Sequence, residues 1–503
     1  MPVPEAGVVA AGVAADPAWV GFLRRHGLWL LLAATALRLL VAAVAPLSPD
    51  EAYYWVWSRA LAPGYFDHPP MVALWIRCGT WVAGQSAFGI RLLGPFATLA
   101  GTFLIRAAGR DLIDDAAGLM AAAVLNASLL FGAGAITMTP DTPLLLFWTA
   151  TLAAFARLVA TGRARWWLVA GVSCGLGMDS KYTAALLPLC ALAWLVSLRQ
   201  WRWLRHPAPW AGGALALLLF APTLGWNAAH HWVSFVKQGG RTLDFVPARA
   251  ARYVSELVLG QIGLMTPLLF GLCLAGLVAA ARAARGPKPT PRLLLAFTVL
   301  PGLVFLQHAL GDRVQANWPA VIWPGAALAA ALAAPAWRRA LFVPGLWLGI
   351  GITALVYAHA TLDILPLPAR MDPVTRLGGY RELARHLRDL RPAPRFLATD
   401  SYGAAALLDF LAPTCPNLIA VGPRWRYFAL PTGAARLSGG SGLLLRDTRR
   451  HNPPDREGWQ SLAPVGVIDR TWHGEVSGRY RLWRVTAGAV PPVSAVMPCR
   501  PGS

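Results

Sequence analysis

The stretch LWLLLAATALRLLVAAVAPLSPDEAYYWVW, residues 28–57, joins an apolar run to an acidic pair. Residues 28–47 are long and apolar enough to cross a hydrocarbon core of about 30 Å. Asp50 and Glu51 follow, and aromatic residues dominate positions 53–57. Charged side chains beside a membrane span are costly unless they are used. The stretch therefore predicts a membrane protein with an active site at one edge of the membrane.

The composition of the whole chain agrees with this prediction. Of its 503 residues, 56% are hydrophobic and 14% charged, and the mean hydropathy is +0.48. In a soluble protein the formal net charge of +21 would indicate nucleic-acid binding. Here the arginines fall mostly in short loops between apolar runs, so membrane orientation explains them better. We expect a membrane partner and no nucleic acid.

We predict a polytopic α-helical protein with about eleven or more transmembrane helices. The predicted spans are residues 28–47, 89–108, 116–136, 142–160, 166–179, 182–198, 208–226, 256–281, 292–310, 317–334 and 340–360. If the N-terminus is cytoplasmic, every loop on that side is basic, as the positive-inside rule requires. Asp50, Asp67, Asp141 and Lys181 then face the opposite side. We expect a multi-pass protein of the bacterial inner membrane with a periplasmic active site.

Two regions outside the spans have sequence patterns that predict further structure. Residues 50–84 predict two short amphipathic interfacial helices within a transmembrane domain of residues 1–365. Hydrophobic spans stop after residue 365, and short apolar runs then alternate with helical patterns, so residues 366–503 predict a small periplasmic α/β domain. Cys415 and Cys499 lie in that domain, where the compartment would permit a disulfide that the sequence cannot decide.

The acidic residues near the membrane edge each allow two interpretations. Asp50 and Glu51 follow Ser48 and Pro49, a pattern typical of a helix N-terminus, where they would serve as capping residues. Capping needs only one of them, so we expect at least one to act chemically, with a pKa raised by desolvation. Asp141 could cap the fourth span or belong to the same site.

Asp67 and His68 precede two prolines that favour an extended chain. They could form a simple turn, or they could bind a phosphate or a divalent ion in the same cleft. We leave open whether a divalent metal ion binds at Asp67 and His231 or whether no metal is used. The sequence carries no CxxC pair and no HExxH helix, so it signals no dedicated zinc site.

Several cationic residues are candidates for binding an anionic group. Lys181 could reach the membrane interface or present a compact charge to a phosphate. His230 and His231 could be part of an aromatic belt or act as ligands. Arg313 could pair with Asp312 or bind an anionic headgroup.

At this point the motifs resemble a known family. The chain is similar to the integral-membrane glycosyltransferases of the GT-C superfold, and closest within it to bacterial relatives of protein mannosyltransferases and of the ArnT-type lipid A aminoarabinose transferases. The matching motifs are Pro49-Asp50-Glu51-Ala52-Tyr53-Tyr54, Tyr65-Phe66-Asp67-His68-Pro69-Pro70, Thr139-Pro140-Asp141, Ser180-Lys181-Tyr182-Thr183, Trp226-Asn227 with His230 and Trp232, Gly260-Gln261 and Asn317-Trp318-Pro319.

The resemblance implies a polyprenyl-phosphate-linked sugar as donor and transfer to an acceptor outside the cytoplasm. By position it makes Asp50 the general base, with Glu51 beside it, and Asp141 the second acidic motif at the acceptor or metal site. The aminoarabinose enzymes have a lysine in place of His68 and an arginine in place of Tyr53.

Transfer from a phosphate leaving group needs a base for the acceptor hydroxyl and cations for the departing phosphate. We expect Asp50 to be the base. The expected phosphate-binding residues are Lys181, Arg313, His68, His230 and Arg241. A single displacement inverts the anomeric centre, so the sequence predicts an inverting glycosyltransferase.

The expected acceptor is a hydroxyl or phosphate of lipid A, lipopolysaccharide or another envelope glycan, with protein O-glycosylation as an alternative. A transporter or flippase for lipid-linked sugars is a further alternative, but its acids would lie near the membrane midplane. A noncatalytic envelope scaffold is the third.

Overall fold

The computed structural model describes residues 17–239, 245–369, 371–390, 393–411, 418–438, 440–450 and 452–498. Arg241, Cys415 and Cys499 lie outside these ranges. The phosphate-binding role expected of Arg241 and the disulfide considered for the two cysteines therefore stay predictions.

Up to residue 362, the described residues fold almost entirely into helices. These helices are α1 (Ala18–Val44), α2 (Pro49–Arg59), α3 (Met71–Ala83), α4 (Ala87–Arg91), α5 (Leu93–Leu112), α6 (Asp115–Ala127), α7 (Leu129–Ala135), α8 (Asp141–Thr161), α9 (Arg165–Met178), α10 (Leu186–Ser197), α11 (Trp201–Leu204), α12 (Pro207–Ala229), α13 (Val233–Gly239), α14 (Pro247–Met265), α15 (Pro267–Ala283), α16 (Pro289–Ala296), α17 (Val299–Ala309), α18 (Trp323–Ala330) and α19 (Pro335–Leu362). Two 3₁₀ helices, Tyr182–Ala185 and Trp318–Ile322, precede α10 and α18.

Within the described ranges, six helical segments are long and apolar enough to cross a membrane. They are Ala18–Val44, Ala87–Leu112, Asp141–Thr161, Pro207–Ala229, Pro289–Gly311 and Pro335–Leu362. The bent pairs α6–α7 and α14–α15 raise the number to eight if each is one span. The prediction of a polytopic helical membrane protein is confirmed. The count of eleven is not, because helices such as α9 have 14 residues where a span needs about 20.

The predicted span 256–281 is not one straight helix. It is divided between α14 and α15, whose axes differ by 106°. Thr266, between them, has a φ of 65°, which a β-branched residue rarely adopts. Pro267 then starts α15 without an amide hydrogen to offer to α14. The backbone conformation of Thr266 and the missing amide hydrogen of Pro267 therefore break the helix, although the apolar pattern continues across the junction.

Helix α2 begins in a capping box. The Ser48 hydroxyl accepts a hydrogen bond from the Glu51 amide at 3.2 Å, and the Glu51 carboxylate accepts one from the Ser48 amide at 3.0 Å. Pro49 occupies the first turn, where its missing amide hydrogen costs nothing. The predicted helix start is therefore confirmed, and Glu51 is the capping partner.

The first-loop region folds as α2 and α3, but α2 does not lie in lipid. Tyr53, Trp55 and Trp57 belong to this predicted interfacial helix, and all three are buried. They belong to one apolar cluster that also contains Ala404–Leu408 and Trp425 of the C-terminal region. This correction shows that the aromatic run of α2 packs against protein.

The C-terminal region combines short helices with a sheet. In chain order the elements are α20 (Pro373–Leu377), α21 (Tyr380–Arg388), β1 (Leu397–Thr399), α22 (Tyr402–Leu411), β2 (Leu418–Val421), the 3₁₀ helix Pro423–Tyr427, α23 (Ala434–Leu437), β3 (Ser441–Asp447), β4 (Trp459–Trp472), β5 (Glu475–Ala487) and β6 (Ser494–Val496).

These strands form a sheet with the order β4-β5-β3-β1-β2-β6. Strand β1 runs parallel to β2 and β3, whereas β6 is antiparallel to β2 and β5 is antiparallel to β3 and β4. Helix α22 connects the parallel strands β1 and β2, as such crossovers require.

Helix α22 lies directly against the start of α2. A Cβ atom added to Gly403 would lie 2.6 Å from Cβ of Pro49, which is closer than packed atoms tolerate. The glycine therefore lets the two backbones approach, and the approach brings the N-terminal turn of α22 beside Asp50.

Candidate active site

Three carboxylates from separate parts of the chain surround the side chain of Tyr54. Asp50 lies in the first turn of α2, Asp67 in the loop after it, and Asp141 at the start of α8. Burial raises the pKa of Tyr54 well above its usual value, and Asp50, Asp67 and Asp141 each raise it further. The structure therefore brings these three predicted site residues within electrostatic range of one side chain, and we call the region around Tyr54 the cleft.

Asp50 is solvent-accessible and has one hydroxyl partner. The Tyr402 hydroxyl donates a hydrogen bond to Asp50 Oδ1 at 2.9 Å. Among the described residues, no cation lies within ion-pair distance of Asp50. Surrounding protein raises the pKa of Asp50 by desolvation, and the bond from Tyr402 opposes that shift. An accessible carboxylate with a raised pKa has the properties of a general base.

Glu51 lies in a different environment. Its side chain is fully buried, and Arg91 donates to it from Nε at 2.6 Å and from Nη2 at 2.7 Å. The Met138 amide donates to the same carboxylate at 3.0 Å. Although burial alone would raise its pKa, Arg91 and the hydrogen bonds from Ser48 and Met138 hold the pKa of Glu51 below its usual value.

The side chain of Glu51 has no exposed surface, so its geometry favours a supporting role over direct contact with a substrate. Arg91 also donates to the carbonyl oxygens of Ala42, Ala45 and Pro46 at the end of α1. The Glu51–Arg91 pair thus fixes α2 to the end of the first span and holds Asp50 in place.

Asp67 is the centre of a cationic cluster. It forms an ion pair with Lys237, accepts a hydrogen bond from the Tyr53 hydroxyl at 2.8 Å, and lies 3.6 Å from Nη1 of Arg424. Burial would raise the pKa of Asp67, but Lys237 and Arg424 hold it below its usual value. Asp67 stays ionised, so it can hold both cations at the cleft.

Aromatic rings position the same two cations. The Arg424 guanidinium carbon lies 4.2 Å from the Tyr402 ring centroid and 5.4 Å from that of Tyr53. Lys237 Nζ lies 4.3 Å from the centroid of Phe66. Such cation–π contacts restrict the side chains without neutralising their charge.

Asp141 is the acceptor in a second group of polar side chains. Lys181 Nζ donates to Asp141 Oδ1 at 2.7 Å, and the Asn317 side-chain amide donates to Oδ2 at 2.7 Å. Lys181 also lies 5.2 Å from the centroid of Trp318. The predicted residues Asp141 and Lys181 are therefore partners, and Lys181 is buried rather than extended towards the interface.

The remaining predicted cations are more scattered. The His68 ring lies 6.3 Å from that of Tyr54, next to Asp67. His230 stacks on Trp226 at 4.2 Å, and its Nδ1 lies 2.7 Å from the Trp226 carbonyl oxygen. The Arg313 side chain pairs with Glu256 at 2.7 Å, whereas Asp312 accepts a hydrogen bond from the Arg313 backbone amide. Of these, His68 lies at the cluster, whereas Arg313 has a partner elsewhere.

The metal site expected at Asp67 and His231 does not fit the structure. Lys237 and Arg424 already face the Asp67 oxygens and would repel a metal cation, and His231 is exposed. In the described part of the chain, a group with suitable spacing consists of His359, Asp363 and Asp372, whose ligand atoms lie within 4.8 Å of one another.

That alternative group is held by hydrogen bonds. The Leu365 amide donates to His359 Nδ1 at 3.2 Å, so the proton of the neutral ring lies on Nε2, 2.9 Å from Asp372 Oδ1. The neutral ring then has no lone pair left for a metal. These residues therefore do not favour a metal site.

Three site residues could not be found from the sequence. Tyr402 and Arg424 belong to the C-terminal region, and Lys237 lies in the short helix α13. No short motif links any of them to Asp50 or Asp67. Of the three, only Lys237 could have been singled out in the sequence, because lysine is rare in this chain and occurs only three times.

Comparison with known proteins gives the same fold. A family profile described as dolichyl-phosphate-mannose-protein mannosyltransferase matches residues 67–226. The crystal structure of ArnT from Cupriavidus metallidurans bound to undecaprenyl phosphate superposes with a TM-score of 0.63 at 14% identity, covering 93% of this chain and 99% of that one.

Two curated relatives are similar in sequence. The lipid A galacturonosyltransferase RgtD of Rhizobium johnstonii is 28% identical over 385 residues, which cover 72% of this chain and 76% of RgtD. An undecaprenyl phosphate-alpha-4-amino-4-deoxy-L-arabinose arabinosyl transferase of Pseudomonas aeruginosa is 33% identical over 229 residues, but only 38% of its length is covered. The resemblance to GT-C glycosyltransferases expected from the sequence is confirmed.

Proposed function

We propose that this chain, a glycosyltransferase with the GT-C fold, moves a sugar from a polyprenyl-phosphate donor to an acceptor of the bacterial envelope. The prediction of a glycosyltransferase of this class agrees with its relatives, which are named as transferases acting on lipid A or using undecaprenyl phosphate-linked sugars. A glycolipid acceptor such as lipid A is preferred. Transfer to a protein hydroxyl is the alternative, and neither a flippase nor a scaffold has support among these relatives.

The observation that carries the catalytic assignment is the contrast among four carboxylates. Glu51, Asp67 and Asp141 each have a cationic partner, whereas Asp50 has a hydroxyl partner and a raised pKa. We assign Asp50 as the base. Its carboxylate takes the acceptor proton while the acceptor oxygen bonds to the anomeric carbon and the bond from that carbon to the phosphate oxygen breaks. This single displacement inverts the anomeric centre.

The leaving polyprenyl phosphate gains a negative charge in this step and needs cations. We assign Arg424 and Lys237 to that role, with His68 beside them, since all three gather at Asp67. The aminoarabinose enzymes carry an arginine at the position of Tyr53, and here Arg424 brings a guanidinium to within 5.4 Å of the centroid of the Tyr53 ring. Lys181 has a supporting role through Asp141.

We further propose the finer topology. The shorter helices cross the membrane together with the long ones, giving about eleven spans, and the cleft and the domain of residues 366–503 face the periplasm. The basic loops on the opposite side support this orientation.

Replacing Asp50 with asparagine tests the catalytic assignment. In purified Asp50→Asn, release of polyprenyl phosphate in the presence of acceptor should fall by at least ~10³-fold, because the hydroxyl loses its base. The thermal melting temperature at neutral pH should not fall, since the raised pKa of Asp50 means that its ionised form destabilises the folded state.

Asp389→Asn is the matched control, because Asp389 is exposed and 3.8 Å from Arg388; it should transfer like the unmodified protein. Full activity in Asp50→Asn contradicts the assignment. The same assay after chelation by EDTA tests metal use: activity that is lost and then restored by Mg²⁺ or Zn²⁺ would show that a divalent ion is required.

A further inference from the structure

A second cavity opens beside Asp50, on the side of the C-terminal region. Its volume is about 390 Å³. The residues that line it come from the starts of α2, α21 and α22 and from the end of β3 with the residues after it: Pro49, Asp50, Tyr380, Ser401, Tyr402, Gly403, Ala404, Asp447, Arg449 and Arg450. The Asp50 carboxylate is thus accessible from this cavity.

The donor-side cations do not line this cavity. Arg424, Lys237 and Lys181 are absent from its walls as the described residues define them. Asp50 therefore lies at the boundary between the cationic cluster at Asp67 and this second space. A base that takes a proton from the acceptor must touch the acceptor, so the cavity is where the acceptor hydroxyl can reach Asp50.

The far wall of the cavity carries an excess of positive charge. Arg449 binds Asp447 through Nε at 2.9 Å and Nη2 at 2.5 Å. Arg450 lies 3.4 Å from Asp400, which also pairs with Arg446. Three guanidinium groups are thus balanced by two carboxylates, and Arg446 is the least exposed of the three arginines.

Both cavity arginines can rearrange towards a ligand. The Arg449 side chain is 73% exposed and that of Arg450 is 46% exposed. A guanidinium has five N–H donors, so these ion pairs leave donors for another oxyanion. Planar donors in pairs suit a phosphate group. The surrounding region, residues 366–503, has nineteen arginines, ten acidic residues and no lysine.

We propose that this cavity is the acceptor site and that Arg449 and Arg450 select an acceptor carrying a phosphate group near its reacting hydroxyl. This inference rests on the proposed transferase function. The C-terminal region then determines acceptor specificity, whereas the cluster at Asp67 holds the donor phosphate. Arg449 and Arg450 are binding residues in this scheme and take no part in proton transfer.

A binding experiment tests the site without knowledge of the natural acceptor. Inorganic pyrophosphate is titrated into the purified full chain by calorimetry, with polyprenyl phosphate present to fill the donor phosphate position. The unmodified protein should bind pyrophosphate, and Arg449→Ala/Arg450→Ala should weaken binding at least about tenfold. The control is Arg436→Ala/Arg456→Ala, which removes two exposed arginines of the same region that do not line the cavity.

Kinetics then distinguish the source of the phosphate. Vesicles containing phosphorylated lipid A, vesicles containing the same lipid A without phosphates, and soluble glucosamine 1-phosphate are compared as acceptors. The Arg449→Ala/Arg450→Ala variant should raise the KM for a phosphorylated acceptor at least about tenfold with kcat within about twofold.

Pyrophosphate binding that is absent, or that both double variants weaken equally, overturns the inference. An unmodified protein that releases no polyprenyl phosphate from any donor overturns the proposed function instead, whatever the pyrophosphate result. The two failures are therefore separate.

Discussion

The protonation state of Asp50 depends on the Tyr402 hydroxyl. Desolvation by the surrounding protein raises the pKa of Asp50, and the hydrogen bond from Tyr402 lowers it. In Tyr402→Phe the carboxylate loses that bond, so its pKa rises further. A base must be ionised, and activity should therefore fall at a higher pH on the acid side than in the unmodified protein.

The measurement is kcat/KM as a function of pH. A shift of the acid limb by about one pH unit is the expected scale for one lost hydrogen bond of about 1.4 kcal/mol. Tyr253→Phe, on α14, is the control and should leave the profile in place. An unchanged acid limb in Tyr402→Phe would show that Asp50 is not the titrating base.

Glu51 and Asp50 should respond to substitution in opposite directions. The pKa of Glu51 is held below its usual value, so its contribution to stability is present above the unfolded pKa, near 4.5, and is lost as the pH falls through the folded pKa. Glu51→Gln leaves the buried Arg91 without its charge partner. We expect a loss of about 3–5 kcal/mol at neutral pH.

Thermal melting in detergent at several pH values checks this. Glu51→Gln should melt well below the unmodified protein at pH 7, and the difference should shrink towards pH 4. Asp50→Asn serves as the neighbouring control. Equal melting temperatures of Glu51→Gln and the unmodified protein at pH 7 would remove the structural role assigned to Glu51.

Residue patterns predicted Asp50, Asp67, Asp141 and Lys181 because these are polar residues at the ends of apolar runs, where a bilayer makes any charge conspicuous. The same reasoning could not separate Asp50 from Glu51. Their difference arises from Arg91, forty positions away from Glu51, and no local pattern reports on a partner at that distance.

At the scale of elements, the contact between α2 and α22 is sterically tight. The nearest atom to a new Cβ at Gly403 is Cβ of Pro49 at 2.6 Å, so Gly403→Ala should push α22 away from the start of α2. Asp50 and Tyr402 would then separate. We expect a loss of about 1–3 kcal/mol from overpacking, together with a fall in kcat.

Gly466→Ala is the matched control, because a Cβ at Gly466 meets no atom within 4 Å. Melting temperature and transfer rate are measured for both variants. If Gly403→Ala transfers as fast as Gly466→Ala, close packing of these two helices is not needed for catalysis.

Element positions were predictable where hydropathy alone decides them. The apolar runs of the first 365 residues correspond to helices where the structure describes them, and a short apolar run of the C-terminal region, Leu418–Val421, lies within the sheet. The bend at Thr266 was not predictable, because α14 and α15 form one apolar pattern whose break depends on a single backbone conformation. Burial of α2 was missed for a related reason, since a run of aromatic residues is expected both for a helix at the lipid interface and for a helix packed against protein.

At the scale of the molecule, the site is shared between the membrane helices and the C-terminal region. Tyr402 lies 352 positions after Asp50. The sequence predicts residues 366–503 as a separate domain, because the composition changes sharply there. Composition gives no information about how closely the two parts of the chain pack. The division of the chain at residue 365 stays a proposal, and the apolar cluster of α2 with α22 shows how closely the two parts pack.

The proposed orientation predicts which side of the membrane each loop occupies. Single cysteines at Asp389→Cys and Arg285→Cys, in a chain whose native cysteines are replaced by serine, are labelled in intact spheroplasts with a membrane-impermeant maleimide. Position 389 should react and position 285, between α15 and α16, should react only after the membrane is opened. The reverse pattern would place the cleft in the cytoplasm.

The distance along the chain between Asp50 and Tyr402 also orders events during synthesis. A ribosome completes the first span and α2 long before it reaches α22, so the nascent chain holds Asp50 without its hydroxyl partner and the Asp67 cluster without Arg424. Donor lipid can diffuse to such an unfinished chain, but the groups that would use it are not yet assembled. Under the proposed roles of Asp50 and Arg424, folding of the C-terminal region onto α2 is therefore the event that completes the catalytic site.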